Sequence, residues 1–151
     1  MAITGSGMYG LTIEKAFQDT LGLSVESTAW SGLMVTDTHA PAFDTDDFRS
    51  DLDNEVSGGG YTAGGKSLDA TPTLTVASPG AGQIAYDFAN VIWTGSTITS
   101  AMAGVTYHST GTAANDELLC LSDFITAAST SNGTFTWTVH ASGQWYIDYI
   151  P

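Results

Sequence analysis

The sequence predicts a mostly-β fold, a β-sandwich or jelly roll with one or two short N-terminal helices, and three observations predict it. Threonine and glycine are abundant, with 22 and 17 copies against only 4 prolines. Threonine and the aromatics suit a pleated, half-buried surface, and glycine supplies the turns between short strands. Phe135, Trp137 and Val139 alternate with Thr134, Thr136 and Thr138, the period of two that marks a strand with one buried face. Finally, seven or eight short strand candidates follow one another at close spacing, as in sandwiches and jelly rolls.

Taken in chain order, Thr12 to Leu21 predicts a short helix with Ile13, Ala16 and Phe17 on one side and Gly22 as its stop. Trp30 to Val35 reads as a strand. A second helix is expected over Asp46 to Val56, with Asp44 or Thr45 as N-cap and two acids in the first turn, where the helix dipole favours them. Phe48, Leu52 and Val56 recur every four residues as an apolar stripe, and Arg49 and Asp53 form an i,i+4 pair. Gly58-Gly59-Gly60 then breaks the chain. The strand candidates beyond it are Thr73–Val76, Ile84–Phe88, Val91–Thr94, Thr97–Ala103, Val105–His108, Leu118–Phe124, Thr134–Val139 and Trp145–Ile150. Ser131-Asn132-Gly133 and Ser142-Gly143 are turn signals before the last two.

A length of 151 residues suits one domain, read as an N-terminal arm and helical elaboration over 1–56 and a β core over 57–151. Sixteen acids face three bases, Lys15, Arg49 and Lys66, for a net charge of −13. Nucleic acid is therefore a poor expected partner, because phosphate binding needs Lys and Arg to displace counterions. Anionic membranes are disfavoured for the same reason. No apolar run approaches the ~20 residues of a membrane helix, and Met1 to Gly10 lacks the regions of a signal peptide. A soluble product of the cytoplasm is expected.

Several motifs invite chemistry, and each has a plainer reading. Residues 60–67, Gly-Tyr-Thr-Ala-Gly-Gly-Lys-Ser, match the nucleotide-binding P-loop literally. That loop works between a hydrophobic strand and a helix whose amides hold phosphate, and neither flank fits here. Asp44, Asp46, Asp47, Asp51, Asp53 and Glu55 offer oxygen ligands for calcium but lack the glycine-centred loop of an EF-hand, so a solvated helix face is the expectation. His39, His108 and His140 lack the spacing that zinc uses. Cys120, inside Leu118-Leu119-Cys120-Leu121, reads as a core thiol. Asn132-Gly133-Thr134 is a formal glycosylation sequon that reads as a turn. No catalytic residue, cofactor site or metal site is assigned, and a non-enzymatic protein is expected.

Asp51-Leu52-x-x-Glu55-Val56, Gly60-Tyr61-Thr62-x-Gly64-Gly65-Lys66-x-Leu68 and Asp87-x-Ala89-Asn90-Val91-x-Trp93 resemble a group of small tailed-phage virion proteins. Thr97–Ala103 leading into Val105-x-Tyr107, Leu118-Leu119-x-Leu121-x-Asp123-Phe124, Gly133-Thr134-Phe135-Thr136 and Trp145-x-Ile147 extend the likeness from about residue 30 onward. The resemblance implies a capsid decoration, or cement, protein: an oligomer, expected to be a trimer, bound to the major capsid protein on the outer surface of the virion. Binding that favours the assembled shell stabilises it by mass action. Two alternatives stay open: a glycan-reading module of a head or tail fibre, with Trp30 and Trp145 as candidate platforms, and a small carbohydrate-active enzyme.

Overall fold

The computed structural model describes residues 3–18 and 24–150. It is an antiparallel β-sandwich with a single α-helix among those residues. One sheet has five strands in the order β1 (Gly7–Met8), β8 (Leu118–Ala128), β7 (Ala101–His108), β2 (Trp30–Thr36) and β3 (Lys66–Ser67). Facing it are a three-stranded sheet, β10 (Trp145–Asp148), β5 (Gln83–Asp87) and β4 (Thr73–Val76), and a two-stranded one, β6 (Val91–Ser96) with β9 (Gly133–Trp137).

The five-stranded sheet is covered on both faces, which explains why β2 and β7 are buried almost throughout instead of alternating. β2 sends Trp30 and Met34 into a core shared with Tyr86, Phe88, Val91, Trp93, Phe135 and Trp137 of the opposite layer. Its intervening Leu33 and Val35 enter a second core with Ile3, Tyr9, Val105, Tyr107 and Leu121, closed from outside by Phe43 and Leu52. The segment before residue 57 thus supplies both a central strand of the sheet and a cover over its outer face.

The first expected helix is present as α1 (Gly10–Phe17), but it presents a different face. Its buried residue is Thr12, whose hydroxyl donates to the Leu118 carbonyl, and Lys15 reaches Asp47 and Glu117 at 2.7 and 3.1 Å. These anchors turn Phe17 outward, leaving it 85% exposed. The expected continuation to Leu21 and the stop at Gly22 lie outside the described residues.

The second expected helix does not form. Residues 46–56 contain one 3-10 turn, Arg49–Asp51, flanked by extended chain that bridges to neighbouring strands through Phe48 to Glu117 and Glu55 to Val35. Strand residues claim the backbone groups a helix would pair internally: the Asp47 carbonyl accepts from the Leu118 N–H, and the Val56 N–H donates to Met34. Asp51 also competes with the helix by accepting from the N–H groups of Asp47 and Phe48 at 3.0 and 2.9 Å. Asn54 sits in the left-handed region at φ 55°. The apolar stripe is consequently divided, with Val56 in the main core, Leu52 over the second and Phe48 under the Lys15 ammonium. Nor do Arg49 and Asp53 pair; Arg49 binds Asp116 and Asp53 binds His39.

Most strand starts from Thr73 onward hold to within a residue, whereas the ends differ: β6 runs on to Ser96 and β8 to Ala128, and β9 stops at Trp137. The expected strand from Thr97 starts at Ala101, after Ser100 in a left-handed turn, and runs on unbroken to His108. The last strand stops at Asp148.

Candidate interaction surface

The P-loop-like segment is folded around a carboxylate where a nucleotide-binding loop would hold phosphate. The Gly64 N–H donates to Glu55 at 2.6 Å, and the Tyr61 hydroxyl donates to the same oxygen at 2.8 Å. The Tyr107 hydroxyl donates to the Gly64 carbonyl at 2.5 Å. Gly65, at φ 69°, lets the chain pass so close to β2 that a Cβ would lie 1.9 Å from the Gly32 carbonyl oxygen. Lys66 then enters β3 and pairs with Asp69. No helix follows, so the amides that would cradle phosphate are absent from the geometry.

The acidic segment is engaged in the same piecemeal way. Asp46 accepts from the Ala42 N–H, Asp47 pairs with Lys15, Asp51 caps its own turn, and Asp53 accepts from His39. The two backbone N–H bonds hold the Asp51 carboxyl below the usual range, and the His39 bond does the same for Asp53. Among the described residues no three His, Cys, Asp or Glu side chains are placed to share a metal ion. The three histidines are scattered: His39 is buried against Asp53, the ring of His108 meets Trp30 edge-on at 5.7 Å, and exposed His140 accepts from the Ser142 N–H. Cys120 lies in the main core, where burial pushes its thiol up to about 12. Asn132 forms the turn before β9 at φ 49°.

Neither tryptophan considered for glycan binding is a free platform. Trp30 is fully buried, its Nε1–H donating to the Ser24 carbonyl. Trp145 stacks on Tyr86 at 5.3 Å and 14°. An open groove of about 350 Å³ does run between the ends of β8 and β9, lined by Phe124, Phe135, Trp137, Asp123 and threonines 126, 136 and 138. Beside it, Ile125 is held at φ 67° on a bulge of β8, with its side chain in solvent.

The most exposed apolar grouping lies on the three-stranded sheet, a place that strand periodicity alone does not single out. Register aligns Leu74, Tyr86 and Trp145 across β4, β5 and β10, and this row enters the main core. Two residues further along, on the same face, it aligns Val76, Ile84 and Ile147. This second row overhangs the sandwich: Val76 is 65% exposed and Ile147 45%. Ile150, 52% exposed, closes over Gly82, where a Cβ would lie 1.9 Å from its side chain. The cations lie elsewhere in ion pairs, Lys15 with Asp47 and Glu117, Arg49 with Asp116, and Lys66 with Asp69. No lysine or arginine follows Lys66 in the chain. The result is an aliphatic ledge on a strongly acidic body.

Compared with protein-family models, curated proteins and solved structures, the chain has no match.

Proposed function

We propose that this chain is a capsid decoration protein, a binding module that attaches to the outside of an assembled phage shell and resists its rupture. The observation that carries the reading is the aliphatic ledge of Val76, Ile84, Ile147 and Ile150 on a body of net charge −13. Neighbouring aliphatics of which three, Val76, Ile147 and Ile150, are exposed serve association, since they gain by leaving water against a partner surface. The acidity keeps the free protein soluble and sets it apart from packaged nucleic acid. Self-association as a trimer on the major capsid protein would multiply each weak contact through effective concentration.

One observation favours a second reading. The groove sets the half-buried Phe124 ring among the hydroxyls of Thr126, Thr136 and Thr138 and the Asp123 carboxylate, a pairing of one aromatic with polar groups that a glycan-reading site of a fibre would use. Copy number separates the two. Densitometry of stained gels of purified particles should give hundreds of copies per particle for a decoration protein, and stripping the protein should lower the temperature at which shells rupture. A handful of copies, or loss without change in rupture temperature, favours the fibre.

A further inference from the structure

We propose that the free edge of β4 is a strand-addition site, which takes an extended segment of another protein that alternates apolar and basic side chains. Beyond β5, β4 has no strand neighbour among the described residues. The Ala77 N–H donates to the Gln83 carbonyl on the β5 side at 2.8 Å, so by alternation Leu74 and Val76 turn their N–H groups to the open edge. The Leu74 N–H confirms this direction, because it donates outward to the Glu26 carboxylate at 3.0 Å. A side-chain carboxylate thus occupies the place of a neighbouring strand's carbonyl. Such a placeholder blunts an edge against indiscriminate pairing and yields when a better partner arrives.

The row Ile147–Ile84–Val76 fixes what that partner carries. A strand laid along β4 extends the row by one more apolar side chain, which packs on Val76 as Val76 packs on Ile84. Displaced from Leu74, the Glu26 carboxylate is left beside the incoming strand, on a body of net charge −13 whose cations are held in ion pairs elsewhere. Lysine or arginine alternating with the apolar residues neutralises that carboxylate and is drawn by the acidic body. A second copy is the poorer occupant: antiparallel pairing of two β4 edges would bring two Glu26 side chains to one seam, between bodies each of charge −13. That the segment belongs to a phage shell rests on the decoration reading; the edge and its chemistry do not.

The test uses the full chain and an end-blocked decapeptide of alternating valine and lysine as probe. Binding is read by NMR titration and by hydrogen exchange at the Leu74 and Val76 amides. The valine–lysine peptide is expected to slow exchange at both amides. Ile147→Asp is expected to raise its Kd at least tenfold, and Glu26→Gln at least threefold. If Ile147→Asp does not fold, Val76→Asp at the exposed edge carries the same expectation. Equal binding of a valine–glutamate peptide overturns the charge argument, and equal protection by oligolysine overturns the apolar one. A dimer in sedimentation that Ile147→Asp dissolves, without peptide protection, gives the site to a second copy. Particle copy number is independent: hundreds of copies with no peptide protection overturn the edge site alone, and a handful of copies with protection overturn the decoration reading alone.

Discussion

Gly104 of β7 lies directly beneath the indole of Trp137 of β9: a Cβ at residue 104 would sit 2.7 Å from three of the ring carbons. The same ring approaches Gly32 of β2, where a Cβ would meet it at 3.0 Å. Two glycines on adjacent strands of one sheet therefore form the seat that lets a tryptophan of the facing sheet enter between the layers. The ring then meets Phe88, just past the end of β5, and Phe124 of β8 edge-on at 5.6 and 6.0 Å, which ties β9 to the large sheet and to the segment leaving β5.

Gly104→Ala is accordingly expected to destabilise the fold by roughly 1–3 kcal/mol, the usual cost of overpacking a close contact. Denaturant melts check the size. Because the clash is with the far ring of the indole, Gly104→Ala combined with Trp137→Phe should cost less than the two single changes added together. Strict additivity would mean that the ring does not rest on residue 104.

Cys120 should resist thiol reagents in the native state. Burial keeps the thiol neutral by pushing it up to about 12, whereas an unfolded cysteine ionises near 8.5. For a group raised in this way, the stability it contributes is present below the unfolded value and declines as pH rises toward 12. Labelling at pH 8 should therefore follow global unfolding and stay slow in native buffer. Rapid native labelling would place the residue at a surface.

The strands from Thr73 onward were legible because their alternation and turn residues act locally. Trp137 announces its burial by sharing a face with Phe135, and Asn132-Gly133 announces the turn before it. The segment from Asp46 to Val56 defeats local reading because its decisive partners are remote: Leu118 and Met34 take backbone groups that a helix would use internally, and Lys15 holds the Asp47 carboxylate. A four-residue apolar spacing cannot distinguish a helical stripe from three side chains dropped separately into two cores and under a lysine. The ledge of Val76, Ile84 and Ile147 was hidden for a related reason. These residues lie on separate strands, and only antiparallel register brings them into line.

The glycine-rich loop offers a contrast between neighbours. Lys66→Ala removes a half-exposed ion pair with Asp69 and should change stability by less than about 1 kcal/mol. Gly65→Ala must instead fit a Cβ 1.9 Å from a carbonyl oxygen of β2 at a left-handed φ, and should cost about 3 kcal/mol or more. Thermal melts of both variants, beside an ATP titration of the parent, check the loop's role. ATP binding that Lys66→Ala abolishes would restore the nucleotide reading.

Asp116 and Arg49 set the expected acid response. The Asp116 side chain is fully buried, accepting from Arg49 Nε at 2.8 Å and from the Thr110 N–H and hydroxyl at 2.6 and 2.8 Å. Burial disfavours its charge, but the Arg49 and Thr110 bonds outweigh burial and hold its carboxyl below the usual range. For a group depressed in the fold, stability is present above the unfolded value of about 3.9 and is lost as pH falls through the folded one. Asp116→Asn keeps the shape but leaves the Arg49 guanidinium without its counter-charge, at a cost of roughly 3 kcal/mol at pH 7. Arg49 also lies 5.3 Å from the Tyr107 ring, so part of its packing survives the change. The stability gap between parent and variant should therefore be widest near neutrality and should narrow as pH falls below about 4, where the carboxyl takes up a proton in the unfolded parent before it does in the folded one. Urea melts at intervals from pH 7 to about pH 2.5 measure that gap. A gap that stays constant over this range would show that the shape of Asp116, rather than its charge, ties β8 to the Arg49 turn.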